Sequence, residues 1–221
     1  MLGDFISAVI LMDERSLIYD WNTVDYEFKR NAANHPHDIW FDDETLRDGL
    51  QSPSARNPTI EQKIELLGYM EKLGIQKVDL GLPGAGPFHR KHIDAMLTHI
   101  RENDYAIRPG AAVRTLMGDI EPLVEMQAKH EMEIQASAFL GTSPIRQYTE
   151  GWTMEKLVST MEKAVSYAVE NDVPVMFVTE DTTRSNPEDV KMIYHRAMEL
   201  GVRRLCAVSY THLTLPTSSR G

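Results

Sequence analysis

From Ile39 onward the chain alternates short apolar runs with stretches whose apolar residues recur at helical spacing, and this alternation constrains the fold more than any other feature. It is the pattern of βαβ units, in which parallel strands are joined by helices that cover the sheet. Strands are expected at residues 39–41, 77–82, 106–113, 132–139, 173–179 and 203–208. In the first helix Ile60, Ile64, Leu67, Met70 and Leu73 form one stripe, Thr59 and Gln62 have capping-box spacing, and Gly74 supplies a stop. A second opens at Thr153 and carries Met154, Leu157, Val158, Met161, Val165 and Ala168. A third opens at Asn186-Pro187, where proline suits the first helical position, and ends at Gly201 after Val190, Ile193, Tyr194 and Ala197. Less strongly marked helices start near His89 and Met117. The methionines fall mostly on such stripes and read as core filling.

Six strands and five helices in strict alternation fit either a flavodoxin-like open sheet or a (β/α)8 barrel that lacks two units, and periodicity alone does not choose. At 221 residues with 42% hydrophobic content, the chain can bury one substantial core. It is short for a full barrel, which takes roughly 250 residues. A formal net charge of −10 argues against nucleic acid as a partner, because phosphate binding needs a basic face. The lone Cys206 excludes an internal disulfide framework and fits a reducing cytoplasm. The apolar run at residues 5–12 is far below the roughly 20 residues of a membrane span, so no membrane partner is expected. Residues 1–38 form an N-terminal extension, read as a lead-in arm with no sustained period over residues 22–38.

The string Asp42-Asp43-Glu44-Thr45-Leu46-Arg47-Asp48-Gly49-Leu50-Gln51 follows the first strand, at the sheet end that faces the active site in parallel α/β proteins. Asp48 can give a hard oxygen to a divalent metal, Arg47 can stabilise an oxyanion, and Gly49 lets the backbone turn close to a ligand. A salt-bridged Arg47–Asp48 pair closing a loop is the competing reading of those residues alone. The full string resembles the signature of the family that holds isopropylmalate, homocitrate and citramalate synthases and hydroxymethylglutaryl-CoA lyase. The resemblance implies that Asp48 is a metal ligand, that Arg47 is catalytic, and that Gln51 holds the keto-acid end of a substrate. Leu50 stands where relatives are often acidic, and Gln62, with Lys63 beside it, where a lysine is usual.

Other segments extend the resemblance. Val78-Asp79-Leu80-Gly81-Leu82-Pro83 is similar to the family's second strand, and Gly84 and Gly86 after it read as a tight loop. Arg114, ending the third strand, faces the same mouth in a barrel and can bind a carboxylate bidentately or serve as a structural arginine. Gly141-Thr142-Ser143-Pro144-Ile145-Arg146 resembles a stretch in which relatives often carry histidine at the Arg146 position; Ser143 is a substrate-contact candidate or part of an ordinary turn. Thr179-Glu180-Asp181-Thr182-Thr183-Arg184 matches a Glu-Asp pair with an arginine three residues on. Alternation sends adjacent carboxylates to opposite faces, so Glu180 is expected to line the site and shape keto-acid choice, while Asp181 and Arg184 brace the loop. His89 and His92, one turn apart with no matching acid or cysteine, read as surface histidines.

By resemblance, then, the fold is an incomplete (β/α)8 barrel over residues 39–207. The implied activity is a metal-dependent (Zn, Mg or Mn) Claisen-type condensation of acetyl-CoA with an α-keto acid, by a cytoplasmic enzyme that is a homodimer at full length. The alternatives are a lyase running the reverse cleavage and a non-catalytic barrel-derived binding protein. After Ala207 the pattern stops, and residues 208–221 read as a non-native tail. The chain as written is therefore expected to be inactive and prone to aggregate.

Overall fold

A computed structural model of the chain describes residues 40–209. Its strands are β1 (Asp42–Asp43), β2 (Lys77–Asp79), β3 (Arg108–Arg114), β4 (Gln135–Gly141), β5 (Val175–Glu180) and β6 (Arg204–Ala207). Between them run α1 (Ile60–Leu73), α2 (Pro87–Glu102), α3 (Met117–His130), α4 (Pro144–Glu150), α5 (Met154–Glu170) and α6 (Pro187–Glu199). The strands lie side by side in chain order, each parallel to its neighbours. That order decides what periodicity left open. A flavodoxin-like sheet places its first strand inside the sheet, whereas a barrel adds each strand beside the last. The sheet curls, with the helices on its outer face, as an incomplete (β/α)8 barrel.

Local chemistry fixes the helix ends. Thr59 and Gln62 form the expected capping box, and Gly74 closes α1 in the left-handed region at φ 73°. Asn186 caps α6 with Pro187 behind it. Alongside the five expected helices there is a sixth, the short α4, in the segment for which a substrate contact or an ordinary turn was expected. Ser143 accepts from the Arg146 N–H, Pro144 takes the first helical position, and Gly151 ends it in the left-handed region. Strand ends shifted more, because pairing sets them. Of the first expected strand, residue 39 lies outside the described residues, while Trp40 and Phe41 are exposed. Ladder pairing begins with the Lys77 N–H donating to the Phe41 carbonyl, so β1 falls on Asp42–Asp43.

The two faces of the sheet differ in kind. Val78, Ala111, Val113, Ala136, Ala138 and Phe177 point outward into the core formed with Leu67, Met96, Leu97, Leu123, Met161 and Ile193 of the helices. Alternation then turns Asp79, Ala112, Ser137, Phe139, Met176, Val178 and Glu180 to the concave face. At the N-terminal end of the barrel, the Trp40 ring lies 4.6 Å from the Arg108 guanidinium carbon and 5.4 Å from that of Arg204. The first described residue thereby spans from β3 to β6. No helix among the described residues is long and apolar enough to cross a membrane.

Candidate active site

The turn after β1 is tied at its base: the N–H groups of Arg47 and Gly49 both donate to the Glu44 carbonyl, at 3.2 and 3.0 Å. Leu46 is buried and pins the turn to the core, which turns Arg47 toward the concave mouth. There its Nε donates to Glu44 Oε2 at 2.7 Å and its Nη1 to Asp48 Oδ1 at 3.2 Å. Asp79 Oδ2 lies 3.9 Å from Nε. One guanidinium thus stands among three carboxylates.

Asp79 is the residue whose importance the sequence did not disclose. It is 2% exposed, and its Oδ1 accepts from the Gly81 N–H at 3.0 Å and the Ala112 N–H at 3.2 Å, stitching β2 to β3. Its Oδ2 has no hydrogen-bond partner among the described residues. Burial, seconded by the Glu44 charge, pushes its pKa up to about 7, against the two N–H groups and Arg47. Burial likewise raises Glu44, although Arg47 pulls it down. The only signal in the sequence was an acid two residues before a glycine.

Glu180 ends β5 on the concave face, half-buried, as alternation predicted. Burial raises its pKa, while Arg146 and Arg47 both pull it down. The turn behind it is held by backbone and hydroxyl groups. Asp181 takes the left-handed region at φ 47°, and its carbonyl accepts from the Arg184 N–H at 2.8 Å and the Ser185 hydroxyl at 3.2 Å. Thr182 anchors to the Val208 carbonyl through both its N–H and its hydroxyl. Val208 and Ser209, read from the sequence as the start of the tail, are therefore engaged with this turn.

Arg47, Glu44, Gln51, Phe139, Glu180 and Cys206 help line a concave cavity of about 190 Å³ at the C-terminal ends of the strands. Of the expected site residues, Arg47, Gln51 and Glu180 meet there, with Asp48 attached through Arg47. Gln51 is exposed, in a short 3-10 turn. Ser143 is fully buried and caps α4. Arg114 donates through Nε and Nη2 to Asp119 at 2.8 and 2.7 Å, which occupies the fork it would offer a ligand. Asp119 is itself buried, with its carboxylate over the bare Cα of Gly84. That glycine leaves room for the bracket. Cys206, whose thiol pKa burial raises, also faces the concave cavity.

No group of three or more His, Cys, Asp or Glu side chains among the described residues can hold a metal ion. Asp48 offers one carboxylate, already paired with Arg47, so the described residues do not by themselves fit a divalent ion. His89 meets Phe88 edge-on, His92 lies tilted against it, and neither joins such a group.

A parallel barrel sheet with an arginine and its acids at the strand C-termini defines a class of enzyme scaffold rather than a reaction. The family model named HMGL-like matches residues 38–218, and the chain belongs to that family. It is 27% identical over 169 residues to a 2-isopropylmalate synthase of Sediminispirochaeta smaragdinae, covering 75% of this chain and 32% of that one. A homocitrate synthase AksA of Methanopyrus kandleri is 26% identical over 185 residues, covering 84% and 44%. Among solved structures, an HMG-CoA lyase from Brucella melitensis aligns with TM-score 0.59 at 15% identity, covering 76% of this chain and 60% of that one, which shows the fold. The chain spans less than half the length of these curated relatives.

Proposed function

We propose that this domain serves a Claisen-type condensation of acetyl-CoA with an α-keto acid, in a cytoplasmic enzyme that works as a homodimer. The observation that carries the reading is the meeting of Arg47, Gln51 and Glu180 around one concave cavity, in a family whose matched relatives include synthases. In the reaction the acetyl methyl group loses a proton, its carbon bonds to the keto carbon, and the keto oxygen becomes an alkoxide that takes up a proton. Water then cleaves the thioester and releases CoA as the thiol.

Arg47 is assigned to the developing alkoxide. Its hydrogen bonds to Glu44 and Asp48 hold the guanidinium in place before charge appears, so little reorganisation is needed. Gln51, open at the rim, is assigned to the keto-acid carboxylate through its amide N–H. Glu180 is assigned to the wall beside the acceptor's side chain, where burial raises its pKa against the pull of Arg146 and Arg47. Arg114 and Ser143 are assigned to the frame, given the partners they already have. With no group of three ligands among the described residues to hold one, no step is assigned to a divalent metal at Asp48.

The test is keto-acid-dependent release of CoA thiol by the protein carrying this domain. Arg47→Gln is expected to lower kcat by roughly 10²- to 10³-fold, as for other oxyanion donors. CoA release that ignores the keto acid, or an unchanged rate in Arg47→Gln, would sink the assignment. Cleavage of a hydroxyacyl-CoA without condensation would replace it with the lyase reading.

A further inference from the structure

At the N-terminal end of the sheet, away from the mouth, a cleft of about 420 Å³ opens where β4, β5 and β6 begin. Gln135, Arg203, Arg204, Glu133 and Asp172 line it, so two cations and two acids surround one amide. None of these four charges forms an ion pair among the described residues. The charges sum to zero, and what distinguishes one corner of the cleft from another is hydrogen bonding.

Gln135 marks that corner. It is 4% exposed, and its Oε1 accepts from Arg204 Nη1. A guanidinium only donates, so this contact fixes which end of the amide is which. The other end, Nε2, is buried and has no hydrogen-bond partner among the described residues. The neighbouring strand positions do not supply one. On β3 the residue beside Gln135 is Gly110, where an added Cβ would lie 3.7 Å from Gln135 Cβ. On the other side the chain enters β5 through Pro174. A bare backbone and a proline ring offer no side-chain acceptor, so this buried donor calls for an acceptor from outside.

Arg204 brings charge to the same point. Its guanidinium and that of Arg108 share the Trp40 ring, and neither has a carboxylate partner among the described residues. We propose that this corner of the basal cleft binds an oxyanion, the carboxylate or phosphate group of a small molecule, at a site separate from the mouth. One such group takes the Gln135 amide N–H and an Arg204 N–H together, and so answers both deficits. Arg204 is exposed, and a turn of its side chain opens the screened amide to the ligand. Glu133 and Asp172 line the rest of the cleft, which favours hydrogen-bond donors there over a second anion. The site stands independently of the condensing-enzyme reading.

The experiment is titration of the full chain, labelled for nitrogen NMR, with inorganic phosphate and separately with acetate at low salt. Side-chain amide signals are followed, and the Gln135 pair is identified by its absence from Gln135→Glu. That substitution puts a carboxylate beside Arg204 in place of the donor. A saturable shift of the Gln135 pair is expected, with a Kd on the order of a millimolar for one of the two anions or both. The tighter of the two names the group as phosphate or carboxylate. By calorimetry, Gln135→Glu and Arg204→Gln should each weaken binding of that anion by roughly tenfold, while Arg47→Gln at the mouth leaves it unchanged. Gln135 signals that ignore both anions would overturn the proposal. So would binding that survives both basal substitutions, or binding that Arg47→Gln abolishes, since the anion would then sit at the mouth. Arg204 is exposed, so Arg204→Gln keeps the test open should Gln135→Glu fail to fold.

Discussion

The concave cavity and an outer cleft of about 290 Å³, beside the starts of α3 and α5, share Phe139 and Glu180 yet differ in charge. In the first, Arg47 stands among Glu44, Asp48 and Asp79, partly shielded from water. In the second, Arg146, Lys156 and Lys163 are exposed beside half-buried Glu180, and Arg114 is paired with Asp119. The difference lies in what governs each. Glu44 and Asp79 respond to protons, because desolvation raises their pKa values. Exposed cations respond to salt, because the solvent screens them.

Three substitutions test this contrast. Asp79→Asn should have the largest effect. Its carboxyl pKa is raised on folding, so the folded state keeps a proton that the unfolded chain releases, and that stability is full below about pH 4 and lost as pH rises through about 7. Urea unfolding of the wild type should therefore lose roughly 2–4 kcal/mol across that window, and Asp79→Asn should remove most of the slope. Glu44 and Glu180, raised in the same direction, leave a remainder. A slope unaltered by Asp79→Asn would mean that Asp79 is not the proton-holding group.

Gly84→Ala comes next. The new methyl would collide with the Asp119 carboxylate and displace it from Arg114, at a cost of about 2 kcal/mol in thermal or urea unfolding. A neutral outcome would show that the bracket beside the cleft can relax. The smallest effect is expected from Thr59→Ala, remote from both cavities, which removes the α1 cap for about 1 kcal/mol. Its cost should be indifferent to pH above the carboxylate range, where Glu61, whose pKa the Thr59 hydroxyl helps to lower, is already charged; a loss that changes through neutrality would blur the contrast between the cavities.

What was legible in the sequence is what is decided within a few residues. The caps at Thr59, Gly74 and Asn186 stood where their local chemistry put them, and Ser143-Pro144 carried a helix-start signal in a segment whose readings were a substrate contact or a turn. Glu180 could be placed on the concave face because strand alternation is local. Strand ends slid because they depend on a neighbour's register, as β1 does on Lys77. Asp79 was opaque for the same reason: its burial, its Ala112 bond and its nearness to Arg47 all come from other units of the sheet. Arg114 shows the limit in miniature. Its partner Asp119 is only five residues away, but the position of that carboxylate depends on Gly84, on the loop after β2.

The chain-order arrangement of the strands also has a kinetic side. Each strand from β2 onward pairs with the one synthesised just before it, so the described sheet can lengthen one unit at a time as the chain leaves the ribosome. Trp40 is the exception, because one of its two arginines arrives only with β6. Its indole records in a single residue whether the first and last strands of the described sheet have come together.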